Sequence, residues 1–119
     1  MKSNTYYFLF LFAISFIFRL IFILAFQFDG LYGQDAYAYF DYSKIFYTSV
    51  LNFQVPPNFY WSIGYSLFTS IFGLLTAGNI GYAGLLVSLN AGSLCAGIVF
   101  LLTYELLEGN YEESDRKKI

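Results

Sequence analysis

The chain has 119 residues, of which 58% are hydrophobic, 24% aromatic and 12% charged, and its net charge is -2. A soluble domain carries about 25% charged residues, so the deficit points to lipid as the main solvent, and so small a net charge argues for no acidic or basic partner and no nucleic acid. One cysteine, Cys95, and no histidine exclude an internal disulfide, a Ser-His-Asp triad and a zinc site of the His/Cys type, while a divalent cation held by aspartate oxygens stays open and the cofactor is otherwise unknown.

Residues 6–27 read as a first transmembrane helix. Its core, Tyr6 to Phe26, is 21 residues long with one charge, Arg19. As a helix it would measure about 32 Å, against a hydrocarbon core of roughly 30 Å. A signal peptide is the rival reading, but only Lys2 precedes the run and "LAFQFD" is a poor cleavage site. Residues 28–57 then form an extracytoplasmic loop. It gathers Asp29, Asp35 and Asp41, with no acidic residue before them and none after them until Glu105. Within the loop, "QDAYAYFDYSKIFYTSV" predicts an interfacial helix over about 35–50, with aromatic residues on all sides and Asp35 where a carboxylate suits the helix dipole. Pro56 and Pro57 end it with an extended turn.

Residues 58–76 are expected to form a peripheral or re-entrant amphipathic helix. Ser62, Ser66, Thr69 and Gly73 mark one polar or small face on it, and Tyr60 and Trp61 at its start are typical interface residues. Residues 79–107 read as the second transmembrane helix. Gly84, Ser88, Gly92 and Ala96 make a ladder of small residues at four-residue spacing, a surface for close helix approach, either by the first helix or by helices outside the chain. Residues 108–119 read as a polar cytoplasmic tail or connecting loop. Lys2 at one end and Arg116, Lys117 and Lys118 at the other place both termini inside, which requires an even number of crossings. Two crossings of the cell membrane are expected, and three, with the C-terminus outside, are the alternative. The fold class is thus all-α integral membrane, multi-pass, in a single membrane module spanning residues 1–119.

In order, "FRLIFIL", "YGQDAYAYFDYSK", "PPNFYWSIGYSLFTSIFG" and "LLVSLNAGSLCAGIVFLLTYELLEG" resemble the N-terminal part of a GT-C glycosyltransferase. The similarity is to the branch of protein O-mannosyltransferases and aminoarabinose transferases, and it covers about residues 15 to 109. It implies an N-terminal fragment of a polytopic enzyme, inactive alone, that uses a polyprenyl-phosphate sugar donor on the extracytoplasmic side. The missing C-terminal helices, or another membrane protein, would be its partners besides lipid. Asp35 falls on the family's catalytic aspartate. Ala36 stands where a companion glutamate is common, a departure that bears on any metal held by an acidic pair.

In such a transfer one carboxylate suffices as general base, because phosphate leaves without a strong acid. Asp35 is the candidate base, and a plain helix cap is its competing role. Arg19, a guanidinium within an apolar helix, is the candidate for the lipid phosphate. Its competing role is that of a snorkelling anchor. Lys44 is a second phosphate contact, or else the partner of Asp41 on one helix face. Tyr39 is expected at the substrate, although aromatic residues at an interface need no such role. The competing function is a non-enzymatic helical hairpin that self-associates, or joins a membrane complex, through the Gly84–Ala96 ladder.

Overall fold

The computed structural model describes residues 2–27, 29–31 and 33–116, with side chains described for 4–27, 29–31 and 33–107. Four helices follow in order: α1 (Lys2–Phe26), α2 (Gly33–Leu51), α3 (Gly64–Leu75) and α4 (Ile80–Arg116). The described residues contain no strand, so the all-α class holds. Two stretches, Asn4–Phe26 and Ile80–Leu107, are long and apolar enough to cross a membrane.

The chain divides into two compact units. The first pairs α1 up to Ile21 with α4 from Asn90 onward. Here Phe8 covers Gly97, Arg19 covers Gly92, and the Tyr7 and Phe100 rings lie 5.9 Å apart. Higher numbers on α1 meet lower numbers on α4, so the two run antiparallel. A Cβ at Gly97 would stand 2.5 Å from the Phe8 ring, which is why only glycine fits beneath it.

The second unit, Phe22–Leu89, is built on α2 and α3. The Ser70 hydroxyl donates to its own helix at the Ser66 carbonyl (2.7 Å) and lies 3.3 Å from the Ser43 carbonyl of α2. One turn earlier, the Ser66 hydroxyl approaches the Tyr39 carbonyl at 3.5 Å. One turn later, Gly73 sits under the Tyr47 ring. Positions 39, 43 and 47 thus meet 66, 70 and 73 in rising order, and the two helices run parallel. The predicted polar face of the third helix is therefore its inner face: Ser66, Thr69, Ser70 and Gly73 are buried, while Phe68, Ile71, Leu74 and Leu75 face outward.

A parallel pair needs a return path, and this explains the largest departure from expectation. A helix was expected from residue 58, yet α3 starts at Gly64. The segment between has to travel back along α2, about 28 Å for 19 residues. It does so in extended form: the Tyr42 hydroxyl donates to the Pro57 carbonyl at 2.7 Å, Phe59 stacks on Tyr42 at 4.0 Å, and Trp61 reaches Tyr39 at 5.8 Å. Pro56 and Pro57 suit such a path because both they and the residues preceding them disfavour helix.

The turn from α3 to α4 closes sharply. Ala77 and Gly78 adopt positive φ, the Gly78 N–H bonds the Gly73 carbonyl at 2.9 Å, and the Asn79 side chain accepts from the Tyr82 N–H at 3.1 Å. The first contact is the helix-ending pattern that favours glycine, and the second is an N-cap. Helix α4 then continues to Arg116, beyond the expected end at 107. Residues 108–116, expected as a tail, continue the helix, with no proline to stop it. Phe28 and Tyr32 of the loop, and Lys117 and Lys118 of the charge marker, lie outside the described residues.

Gly73 tests the α2–α3 seam. A Cβ there would meet the Tyr47 ring at 2.9 Å and Ile80 at 3.1 Å. Overpacking of this kind costs about 1–3 kcal/mol, which exceeds the few tenths that valine gains over glycine in helix propensity. Gly73→Val should therefore lower the unfolding midpoint in detergent, and adding Tyr47→Ala should remove most of that sensitivity. Additive losses in the double variant would show that the two residues do not meet.

Candidate functional site

The second unit contains a cleft of about 460 Å³. Its rim is the loop Asp29–Leu31; its walls are Ala36, Tyr39, Phe40 and Ser43 of α2, Tyr65 and Thr69 of α3, and the first turns of α4 from Ile80 to Ser88. Each wall follows from the packing just described. The parallel seam turns Thr69 inward, and the antiparallel start of α4 brings Gly84 to Thr69 and Tyr65. The Tyr65 hydroxyl lies over Gly84, where a Cβ would stand 2.7 Å from it.

The lining is mixed. Leu31, Phe40, Ile80 and Leu85 supply apolar surface, and Tyr39, Ser43, Tyr65, Thr69 and Ser88 supply hydroxyls. Ser43 donates to the Tyr39 carbonyl at 2.6 Å. The Thr69 hydroxyl is different: the residue is 1% exposed and its Oγ1 has no hydrogen-bond partner among the described residues. Buried polar atoms without a partner are rare in folded proteins. Asp29 holds its shape through its own turn, its Oδ1 accepting from the Leu31 N–H at 3.0 Å.

Of the residues singled out in the sequence, Tyr39 lies on this cleft and anchors its aromatic wall, with Phe59, Trp61 and Tyr65 at 5.4, 5.8 and 5.8 Å. Asp35 is exposed in the first turn of α2, beside the cleft residue Ala36 in sequence. Lys44 bonds Asp41 at 3.1 Å and lies 3.9 Å from the centre of the Phe40 ring, the plainer of the two roles expected for it. Arg19 belongs to the other unit. Its Nε is 3.4 Å from the Ser15 hydroxyl and its guanidinium rests on Gly92, where a Cβ would be 2.6 Å from Nη1. For a cation, no three Asp, Glu or Cys side chains converge among the described residues.

Three residues escaped the sequence reading. Asp29 looks solvated by sequence, yet it borders the cleft. Tyr65 carried no signal at all. Thr69 was visible as part of the small face, but nothing in a sequence distinguishes a paired hydroxyl from an unpaired one.

Comparison with family models, with curated proteins and with solved structures found no match.

The aromatic wall depends on the return segment, and that segment depends on Tyr42. Removing its hydroxyl with Tyr42→Phe leaves the Pro57 carbonyl without this donor, a loss of about 1 kcal/mol. Hydrogen exchange across residues 52–63 should then speed up by about fivefold, since 1.4 kcal/mol is a factor of ten. Unchanged exchange would mean that the stacked Phe59 alone holds the segment.

Proposed function

We propose that this chain is the membrane-embedded N-terminal module of a glycosyltransferase that moves a sugar from a polyprenyl-phosphate donor to an acceptor hydroxyl on the extracytoplasmic side. The remaining helices of such an enzyme would complete it, and the module alone is inactive in this reading. The supporting observation is the cleft: the stretch from Asp29 to Ser43 borders a cavity furnished with hydroxyls, aromatic rings and one carboxylate, the surface that sugar hydroxyls and ring faces need.

The membrane setting is supported by what the chain buries. Ser43, Ser66, Thr69, Ser70 and Ser93 are inside, whereas Phe10, Phe18, Leu24, Ile71 and Leu74 face out. Water would penalise that arrangement, but lipid tails are as apolar as leucine, and close packing of small residues is then what joins helices. No charged residue occurs from Ile45 to Tyr104. We place both termini in the cytoplasm and the loop outside the cell membrane, following the basic residues at the two ends.

In the reaction, Asp35 takes the proton from the acceptor hydroxyl as its oxygen attacks the anomeric carbon. The bond from that carbon to the phosphate oxygen breaks, and the electron pair leaves with the phosphate. The leaving group needs a cation nearby, and Arg19 is our choice because its guanidinium has N–H groups beyond the weak contact to Ser15. Lys44 is held by Asp41, which leaves it a lesser part. The hairpin alternative draws no comparable support. Two of the four ladder positions it would use are filled from within the chain, Gly84 by Tyr65 and Gly92 by Arg19.

Fused in frame to the remaining helices of an enzyme of this class, the chain with Asp35→Asn should lose about 10²–10⁴-fold in sugar transfer, the usual weight of a general base, while inserting into membranes normally. Full transfer of labelled sugar by that variant would refute the assignment. For topology, single cysteines at Gln54 and Ser114, in a Cys95→Ser background, should be labelled by an impermeant maleimide from outside and from inside respectively. Labelling of both from one side would overturn the two-crossing arrangement.

A further inference from the structure

We infer that the cleft of the second unit seats an uncharged, hydroxyl-rich group on an apolar stem, and not a phosphate. In the reading above, this makes it the site of the acceptor alcohol. The inference rests on that reading only for the word acceptor, since the chemistry of the lining stands by itself.

Charge decides first. Among the described residues that line the cleft, Asp29 is the only charged one, and no lysine or arginine joins it. Lys44, on the same helix as four of the lining residues, bonds Asp41 and rests on the Phe40 ring, and it is not itself a lining residue. A phosphate brought into such a place would lose part of its hydration shell, meet a carboxylate and find no cation among the described lining residues. Both the desolvation and the like-charge repulsion oppose it. A neutral polyol meets neither penalty and can donate to the carboxylate.

The hydroxyl inventory decides next. Thr69 sits in the cleft wall, almost wholly buried, with an Oγ1 that has no partner among the described residues. Threonine in a helix has two accessible χ1 wells. Rotation about χ1 carries the hydroxyl to another staggered position, and the methyl is the part of Thr69 nearest Gly84 of the opposite wall. A ligand hydroxyl in the cleft would supply the missing partner. The apolar residues Leu31, Phe40, Ile80 and Leu85 would take the stem. The volume of about 460 Å³ falls in the range of roughly 300–1,000 Å³ usual for small-molecule sites.

The test uses the chain as it stands, in phosphatidylcholine nanodiscs, with two soluble probes that share a stem: hexyl β-glucoside and hexyl phosphate. Trp61, the single tryptophan, packs on the cleft residue Tyr39 and reports occupancy by its emission. The glucoside should bind saturably and at least tenfold more tightly than the phosphate. Thr69→Val should weaken the glucoside by about tenfold, yet leave the unfolding midpoint of the free chain equal or higher, because its hydroxyl has no bond to lose. Asp29→Asn should narrow the preference over phosphate. Equal binding of the two probes, no saturable glucoside signal, or indifference to Thr69→Val would each overturn the inference. The two proposals fail separately. Loss of transfer in Asp35→Asn with no glucoside binding removes only the cleft assignment, and glucoside binding with undiminished transfer removes only the base.

Discussion

The second unit depends on one seam, the parallel contact of α2 with α3 through small and hydroxylated residues. Ser43, Ser66 and Ser70 satisfy their hydroxyls on backbone carbonyls, partly within their own helix and partly across it. Gly73 lets the Tyr47 ring lie against the helix backbone. Each such bond contributes on the order of 0.6 kcal/mol between helices in a membrane, so no single one holds the pair. What they do together is fix direction and register, and everything else in the unit follows. Parallel helices oblige the chain to return the length of α2. The return is made in extended form and stacks Phe59 and Trp61 on α2. That stack is the aromatic wall beside the cleft.

The same seam explains what could be read in the sequence. Composition and apolar run length suffice for the all-α class and the two long helices, because both are properties of the chain taken in one dimension. The face made by Ser66, Thr69 and Gly73 was also legible, since helical spacing is local. What spacing cannot supply is the direction of a partner. Residues Asn58 to Ile63 carry enough aromatic character to pass for the first turns of a helix. Only the parallel arrangement shows why they must run back along α2 outside any helix. Asn79 as a cap and Ala77–Gly78 as a helix end are readable in principle from residue type, but the apolar runs on either side are the stronger signal. The cleft was less legible still. It is made where three helices and a loop converge, and only Tyr39 among its residues was chosen from sequence. Asp29 gives the same local signal as any turn aspartate.

The ladder of Gly84, Ser88, Gly92 and Ala96 shows how a true periodicity can mislead about purpose. Its spacing suggests one continuous surface for one partner helix. In the structure Gly84 receives Tyr65 within one compact unit, and Gly92 receives Arg19 within the other. Helix α4 serves both, and its small residues admit individual side chains rather than a second backbone. Arginine over glycine is informative in this respect. A long cation in an apolar helix normally reaches toward water, and here the missing Cβ gives the guanidinium a place to lie flat on the neighbouring helix. Among the described residues no carboxylate pairs with the head, and its one hydrogen bond is the weak contact to Ser15.

In the reading proposed above, this contrast in charge would serve two different needs. A transfer from a lipid phosphate brings together an anion, which requires a cation, and an alcohol, which requires an acceptor for its proton. The described side chains do not mix these needs. The guanidinium lies in the unit built by α1 and the later part of α4, and the cleft holds a carboxylate, hydroxyls and no cation. If Arg19 lined the cleft with Asp29, the two would pair, the carboxylate would lose its capacity to receive a hydroxyl, and the guanidinium would lose its hold on phosphate. Both groups are exposed, so water solvates each of them and neither needs its opposite to be stable.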